Sequence, residues 1–293
     1  MRKLRIAVII IFIVTAGLFA AYQVETRLRT DNEPPTITSE NESISVSVEA
    51  EESELFQGLK AEDNVDGDIT ADIRIASMSN FTDTGKRDIT YVVFDSSNHG
   101  ATLTRELVYT DYTPPRITLA EPLRFDTDVT EEWSISQFLQ MFKATDCLDG
   151  DITSQMRMNI GGNGYIDGAG TYPITVQVSN SGGDVTSVSM EMTIVDPQDD
   201  QESEKYYPVL SEYIVYTKVG QPLSLGDYVT GIQRGSQVYE LNDPILSEDL
   251  AGTAVNIADG TDYNTPGTYT AEFSYTPPEG VTATTKMTVV VEG

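Results

Sequence analysis

The fold of this chain is decided by a motif that occurs twice, first as Asp63-Asn64-Val65-Asp66-Gly67-Asp68-Ile69-Thr70 and then as Asp146-Cys147-Leu148-Asp149-Gly150-Asp151-Ile152-Thr153. The second copy begins 83 residues after the first, a spacing close to the length of one small β-sandwich domain. Upstream, Leu55-Phe56-Gln57 has its counterpart at the same offset in Phe138-Leu139-Gln140. This shared neighbourhood indicates tandem copies of one domain.

Each copy also opens and closes in the same way. Paired prolines, Pro34-Pro35 and Pro114-Pro115, suit the first residues of a strand or a stiff domain junction. In the second copy, apolar spacing predicts a short helix at Ser134–Phe142, with Trp133 beside it in the core. β-Branched runs bounded by Gly, Asn and Ser predict a closing hairpin in each copy. The predicted strand pairs are Ile89–Asp95 with Leu103–Thr110, and Tyr172–Ser179 with Val185–Val195.

Residues 206–293 predict a third, diverged domain. This part of the chain lacks the Asp-Gly-Asp motif, but Pro266-Gly267-Thr268-Tyr269 matches Ala169-Gly170-Thr171-Tyr172 of the second copy. A closing hairpin is again predicted, from Tyr269–Tyr275 and Thr284–Val291. The preceding residues 197–205 are acidic, which is typical of a solvated, flexible linker.

The N-terminus predicts a membrane anchor. Three basic residues lie within the first five positions, and Ile6–Tyr22 is almost wholly apolar. This run is at the short end of a bilayer span, and weak cleavage signals favour an uncleaved signal-anchor over a signal peptide cut near Ala20 or Ala21. The positive-inside rule then leaves the N-terminus in the cytoplasm and the C-terminus outside the cell.

Composition excludes several classes of function. A net charge of −28 argues against nucleic acid, because phosphate contacts need clustered Lys and Arg. The single cysteine, Cys147, rules out a disulfide within the chain, so packing alone must stabilise the domains. The only histidine, His99, falls in a predicted hairpin turn, and no Gly-x-Ser-x-Gly motif occurs. Without a nucleophile and a base, we predict that the protein is not an enzyme.

The repeated features resemble a known family. Pro-Pro-x-Ile, Ala-x-Asp-x-x-Asp-Gly-Asp-Ile-Thr and Gly-Thr-Tyr before a strand ending in Asp are similar to bacterial immunoglobulin-like repeats of surface proteins. The type is the one named after a pesticidal crystal protein, a relative of hyalin repeats. The resemblance covers residues 33–196 well and 206–293 weakly, and the first copy departs from it at Thr84-Gly85-Lys86-Arg87. It implies a seven-stranded sandwich used as a spacer or binding module, without catalysis.

These features together predict an all-β protein of tandem immunoglobulin-like β-sandwiches after one N-terminal transmembrane helix. The expected segments are a cytoplasmic basic segment (1–5), a transmembrane signal-anchor (6–22), a neck (23–32), a first domain (33–111), a second domain (112–196), the acidic linker (197–205) and a third domain (206–293).

The two motifs also raise the possibility of calcium. Calcium favours clusters of hard oxygen ligands and would rigidify the first two domains. The alternative is structural, because Asp side chains cap backbone N–H groups in tight turns and Gly adopts positive φ there. The spacing also differs from that of an EF-hand loop, so both interpretations stay open, and no other cofactor is expected. The candidate ligands are Asp63, Asp66, Asp68, Asp146, Asp149 and Asp151.

Tyrosine is concentrated in the third domain, which holds nine of the 15 tyrosines. Interfaces are enriched in tyrosine, so this domain is a candidate binding head. Strands also favour tyrosine, which leaves a structural alternative. The nine residues are Tyr206, Tyr207, Tyr213, Tyr216, Tyr228, Tyr239, Tyr263, Tyr269 and Tyr275.

The predicted function is presentation of immunoglobulin-like domains at the cell surface for adhesion or scaffolding in the cell envelope, through contacts with a surface protein or glycan. The alternative is an accessory subunit of a membrane or envelope assembly. Small residues on one face of the apolar segment, Ala16, Gly17 and Ala20, favour this alternative, because small residues allow close helix packing. Neither the ligand nor the oligomeric state follows from the sequence.

Overall fold

The computed structural model describes residues 2–29, 31–130, 133–162, 164–241, 254–278 and 280–293. Its first element is the helix α1 (Arg2–Arg29). Within α1, the segment Arg5–Glu25 is long and apolar enough to cross a membrane, with a mean hydropathy of 2.3. The helix also includes most of the predicted neck, whose Gln, Glu, Leu and Arg residues are good helix formers.

The first domain is a sandwich of two sheets. One sheet has the order β1-β3-β4 and the other the order β2-β7-β6-β5. The predicted closing hairpin is confirmed, since β6 and β7 pair from Lys86–Val108 to Phe94–Gly100. The core between the sheets includes the fully buried residues Ile89, Tyr91 and Leu107. The strands are β1 (Thr36–Ser39), β2 (Ser43–Val46), β3 (Leu59–Asp63), β4 (Gly67–Asp68), β5 (Arg74–Met78), β6 (Lys86–Phe94) and β7 (Gly100–Tyr109).

The second domain repeats this topology strand for strand. Its sheets have the orders β8-β10-β11 and β9-β14-β13-β12, and β9 runs parallel to β14 as β2 does to β7. The strands are β8 (Arg116–Leu119), β9 (Arg124–Asp126), β10 (Phe142–Asp146), β11 (Gly150–Asp151), β12 (Arg157–Ile160), β13 (Gly170–Ser179) and β14 (Val185–Val195). The common order confirms that the two motifs mark copies of one fold.

Two short helices interrupt the second domain, α2 (Thr127–Thr130) and α3 (Ile135–Leu139). The helix predicted at Ser134–Phe142 is therefore shorter than expected. Ser134 caps α3 in a capping box with Gln137, and Phe142 already belongs to β10. Trp133, predicted in the core, is half-buried and packs against the core, with its ring 5.2 Å from that of the buried Phe138.

The third domain has the same arrangement in a more diverged form. Its sheets have the orders β15-β17-β18 and β16-β21-β20-β19, with β16 parallel to β21. The strands are β15 (Tyr207–Leu210), β16 (Ile214–Lys218), β17 (Val229–Arg234), β18 (Gln237–Glu240), β19 (Asn256–Asp259), β20 (Gly267–Tyr275) and β21 (Ala283–Glu292). The predicted hairpin of β20 and β21 and the predicted all-β class are both confirmed.

The chain divides into two compact units, Met1–Tyr112 and Thr113–Gly293. The second unit contains both the second and the third domain, and one continuous apolar cluster includes core residues of both. The acidic linker predicted at 197–205 lies inside this unit and contains a short 3-10 helix, Glu202–Glu204. The two domains that the sequence separates are thus packed together.

Candidate functional site

The first aspartate of each motif shapes its own loop. Asp63 Oδ2 accepts hydrogen bonds from the backbone N–H groups of Val65 and Asp66, at 2.7 and 2.8 Å. Asp146 Oδ1 makes the same two bonds in the second domain. The glycines of both motifs have φ near +70°, a backbone conformation that glycine adopts without a steric penalty. The two loops therefore have the same internal structure.

The other two aspartates of each motif also cap backbone groups. Asp66 accepts a bond of 2.7 Å from the N–H of Ser96, and Asp149 accepts one of 2.6 Å from that of Ser181. These bonds fasten each loop to the closing hairpin of its domain. Asp68 bonds the backbone N–H of Thr70 at 2.9 Å, and hydrogen bonds from Thr70 lower the pKa of Asp68.

Asp151 makes the corresponding bond to Thr153 at 2.9 Å, and its pKa is lowered in the same way. All six predicted ligands are thus used as turn caps, the structural role that the sequence left open. Among the described residues, neither loop brings its three carboxylates together into a group suited to a metal. Calcium binding by these two loops stays a prediction.

A different group of side chains does converge, next to the motif of the first domain. Asp31, Asp95 and His99 each offer one ligand atom, and these atoms lie within 4.8 Å of one another. His99 Nδ1 is 2.9 Å from Asp95 Oδ2 and 4.0 Å from Asp31 Oδ2. Both carboxylates are deeply buried, with side chains 0% and 2% exposed for Asp95 and Asp31, whereas the imidazole is 35% exposed. We call these three residues the Asp31 cluster.

The turn between β6 and β7 builds one side of this cluster. Asp95 Oδ1 accepts hydrogen bonds from the backbone N–H groups of Ser97 and His99, both at 2.8 Å. These bonds fold the turn back so that the His99 ring meets the other carboxylate oxygen. Burial raises the pKa of Asp95, but the hydrogen bonds from His99 and Ser97 outweigh it and leave that pKa below its ordinary value. Asp95 is therefore ionised at neutral pH.

Two carboxylate oxygens in this region have no hydrogen-bond donor among the described residues, Asp31 Oδ2 and Asp63 Oδ1. Asp31 lies just after α1 and uses its other oxygen to accept from the Glu33 N–H at 3.1 Å. A buried acceptor without a partner costs about 1–3 kcal/mol, and more when it is charged. These two oxygens are therefore buried acceptors that a further donor or a cation would stabilise.

In the second domain, a side-chain amide supplies the hydrogen-bond donor that Asp63 Oδ1 lacks among the described residues. Asn180 occupies the turn position of Asp95, since its Oδ1 accepts from the N–H four residues later, as that of Asp95 does. The Asn180 amide donates to Asp146 Oδ2 at 3.1 Å, the oxygen that corresponds to Asp63 Oδ1. By this equivalence, the first domain has a carboxylate, Asp95, where the second has the amide that donates to its buried aspartate.

A second polar region joins the second and third domains. The Tyr216 hydroxyl lies 2.8 Å from the backbone N of Ile117 and 3.0 Å from its carbonyl oxygen. Arg116 holds Glu292 through both carboxylate oxygens, at 3.1 and 2.8 Å. Burial raises the pKa of Tyr216 to about 12. This contact fastens strand β16 to strand β8.

A cleft of about 260 Å³ lies at the same junction. Arg124, Lys205 and Lys286 line it together with one acid, Glu191, and several threonines. The Arg124 guanidinium stacks on the Tyr207 ring at 3.5 Å from its centroid, and Lys286 pairs with Glu191. In a chain that is strongly acidic overall, this cleft gathers three of the 18 Lys and Arg residues.

The tyrosines of the third domain serve mainly as structure. Tyr213 and Tyr275 are buried and the other seven are half-buried. Several hydroxyls bond within the chain, among them Tyr207 with Glu202 at 2.7 Å and Tyr263 with Asp259 at 2.9 Å. The described residues thus place no fully exposed tyrosine on this domain, and the prediction of a tyrosine-rich binding head stays a prediction.

Sequence reasoning missed two residues of the Asp31 cluster and gave His99 no partner. One signal was present, because Asp95 follows the first strand of the closing hairpin in the first domain, whereas Asn180 follows that strand in the second. Asp31 carried no comparable signal, since it lies in a polar stretch before the paired prolines. Only the fold brings it to the hairpin turn.

The fold and these sites define a class: a tandem β-sandwich protein with an N-terminal apolar helix. No family model and no curated protein matches the chain. Solved structures similar to it include CBM51-2 with the INT domains of Clostridium perfringens ZmpB, at 17% identity and TM-score 0.22 over 53% of this chain and 26% of that one. The protocadherin gammaB4 extracellular domain matches at 13% identity and TM-score 0.21 over 90% and 50%.

Domains 6–7 of the surface layer protein SbsC match at 14% identity and TM-score 0.21, over 55% of this chain and 98% of that one. The chain spans about a quarter and a half of the length of the first two structures. At these identities and TM-scores, the similar structures support no inference about function. The fold assignment stands on the sheet topology of the chain itself.

Proposed function

We propose that this chain is a non-enzymatic surface protein that α1 anchors in a membrane and whose three sandwiches mediate adhesion or scaffolding in the cell envelope. The observation that carries the proposal is the exposed apolar surface of α1. Its large apolar side chains from Ile6 to Val14 are 53–70% exposed. An apolar surface of this size needs a cover, and a single span of this length and hydropathy suits a bilayer.

Membrane extraction tests the anchor. Wild-type chain should stay in the membrane pellet through an alkaline carbonate wash. Replacing Ile10 and Ile13 by lysine should release it, because each lysine near the centre of a span costs about 2.5–3.5 kcal/mol. The Ile10→Leu/Ile13→Leu variant is the matched control and should stay in the pellet. Release of the wild type, or a mature protein whose mass lacks the apolar segment, would contradict the anchor.

The cleft between the second and third domains is the candidate contact site for a surface protein or glycan. Its basic lining and threonine hydroxyls suit an anionic or hydroxyl-rich group. Filling the cleft with Thr284→Trp should abolish retention of the full chain on envelope polymers of the producing cell. Ser187→Trp, on an exposed part of β14, is the control and should leave retention unchanged. Equal retention of both variants would remove the cleft from the proposal.

Gentle detergent extraction also separates the proposal from the accessory-subunit alternative. An adhesion protein should elute from a sizing column as the chain alone or as copies of itself. A subunit should elute with other proteins and lose them when Gly17 becomes Leu, because no atom lies within 4 Å of a Cβ built at Gly17 and a partner helix has room to approach there.

A further inference from the structure

We infer that the Asp31 cluster is a divalent-cation site of the zinc type, in which Asp31, Asp95 and His99 are the ligands. The cluster is distinct from the predicted calcium loops, since none of the six motif aspartates belongs to it. Within the cluster, Asp31 Oδ2 is a buried oxygen that has no hydrogen-bond donor among the described residues.

Charge is the first argument. Asp31 and Asp95 are both less than 10% exposed, and among the side chains that the structure describes the His99 imidazole is the basic group that pairs with them. Buried carboxylates need paired positive charge, because desolvation otherwise costs several kcal/mol for each ion. A divalent cation bound to the imidazole nitrogen and to both carboxylates would supply that charge and would also satisfy Asp31 Oδ2, which has no donor among the described residues.

Geometry is the second argument. Ligands of a tetrahedral zinc ion lie about 2.0–2.2 Å from the metal, so they stand roughly 3.3 Å from one another. The separations of His99 Nδ1 from the Asp95 and Asp31 oxygens, 2.9 and 4.0 Å, lie on either side of that value. The half-exposed imidazole leaves a route by which the ion can enter.

The second domain provides the internal comparison. There, Asn180 replaces Asp95 and donates its amide to Asp146 at 3.1 Å, and Asp184 stands at the position of His99. An amide satisfies this loop without any ion. The chain therefore holds two versions of one turn. The first version sets an imidazole beside buried carboxylates, and Asp31 Oδ2 there has no donor among the described residues.

Ligand type sets the class of metal. An imidazole nitrogen with carboxylate oxygens suits zinc and its neighbours among the transition metals, whereas calcium and magnesium favour oxygen ligands alone. The bound ion would join Asp31, which follows α1 directly, to the turn between β6 and β7. It would thereby hold the segment just after α1 against the first domain.

The single histidine of the chain makes the test direct. Full-length protein in detergent, purified through a histidine-free tag and stripped with a chelator, carries one imidazole whose nitrogen resonances can be read after ¹⁵N-histidine labelling. Added Zn²⁺ should shift the Nδ1 resonance, and calorimetry should give one site per chain. An unshifted imidazole, or no zinc binding, would overturn the inference.

Variants assign the ligands. Asp31→Asn, Asp95→Asn and His99→Gln should each weaken zinc binding by at least about 100-fold, more than the loss of an outer-shell partner costs. Asp184→Asn, at the matching turn of the second domain, should bind as wild type does. Zinc binding that survives the first three variants would overturn the site. Calcium binding that Asp95→Asn abolishes and His99→Gln spares would overturn the zinc-type assignment.

Discussion

Asp95 and Asn180 occupy the same turn in two copies of one domain. The Asn180 amide can donate a hydrogen bond to a neighbouring side chain, whereas the Asp95 carboxylate can only accept one. Asn180 donates to a buried carboxylate, at 3.1 Å, and completes its own loop. Asp95 cannot donate, so the corresponding oxygen of Asp63 stays without a donor among the described residues. A change of one amide to one carboxylate is enough to turn a closed hydrogen-bond network into a site that needs a cation.

The Asp95→Asn variant should therefore be more stable than wild type when metal is absent. The new amide can donate to Asp63 as Asn180 does to Asp146, and the carboxylate repulsion disappears. One added hydrogen bond contributes about 1 kcal/mol, which raises the melting temperature of a domain of this size by about 4–8 °C. Calorimetry in the presence of a chelator measures this rise. Asp184→Asn serves as the control, and an unchanged or lower melting temperature for Asp95→Asn would contradict the account.

Arg105 is a second residue at which the two copies differ. Its side chain is buried and donates to the Gln57 carbonyl at 2.9 Å and to the Tyr91 hydroxyl at 3.1 Å. The strand register places Met190 at the equivalent position in the second domain. The first domain thus holds a hydrogen-bonded cation where its copy holds an apolar side chain.

Arg105→Met should destabilise the first domain by about 2–5 kcal/mol, because it leaves buried partners without a donor. Hydrogen exchange of β6 and β7, followed by mass spectrometry, reports the opening free energy of this domain alone. Arg74→Met, at an exposed position on β5, should cost about 0.5 kcal/mol or less. Equal costs for the two variants would show that the Arg105 network adds no stability.

At the scale of the secondary-structure elements, the side chain of Tyr216 joins strand β16 to strand β8. The Tyr216 hydroxyl contacts both backbone groups of Ile117, and Arg116 stacks on the Tyr216 ring with its guanidinium carbon 5.0 Å from the centroid. Edge strands expose unpaired backbone groups, and a side chain that binds them covers the edge. Tyr216 thus links the second and third sandwiches.

Alkaline pH should weaken the contact between Tyr216 and Ile117. Burial raises the Tyr216 pKa to about 12 in the folded chain, above the value of about 10 in the unfolded chain. Its contribution to stability is therefore complete below pH 10 and is lost as the pH rises toward 12. Unfolding of the second unit should depend more steeply on pH in wild type than in Tyr216→Phe, and parallel profiles would contradict this assignment.

At the scale of the whole molecule, the chain forms two compact units, and the second unit contains the second and third sandwiches. The second and third sandwiches share an apolar cluster and the Arg116–Glu292 pair. Domains joined by such contacts generally unfold together, because opening one exposes the apolar surface of the other. The residues from Thr113 onward should therefore respond to heat as a single body.

Calorimetry of the full chain should accordingly give two transitions. The Arg116→Ala/Tyr216→Phe double variant should split the transition of the second unit, because it removes the ion pair and the hydroxyl contacts while leaving each core intact. Arg157→Ala, at an exposed position on β12, should leave two transitions. Three transitions in wild type would contradict the single-unit account.

Sequence patterns alone determined the local structure of this protein. Repeated Asp-Gly-Asp motifs, paired prolines and β-branched runs bounded by Gly and Asn predict the tandem sandwiches and their closing hairpins, because strand alternation and turn chemistry act over a few residues. The apolar run predicts α1 for the same reason. The six motif aspartates were also recognisable as turn residues, although their choice between capping and calcium stayed open.

Only the tertiary structure decided which distant residues meet. Asp31 and His99 are far apart in the chain, and it is the sandwich that brings them to 4.0 Å. The docking of the third domain on the second likewise depends on Tyr216 reaching Ile117, a contact that no local pattern encodes. Charge, burial and long-range packing act through space, so the Asp31 cluster and the two-unit architecture became visible only once the chain was folded.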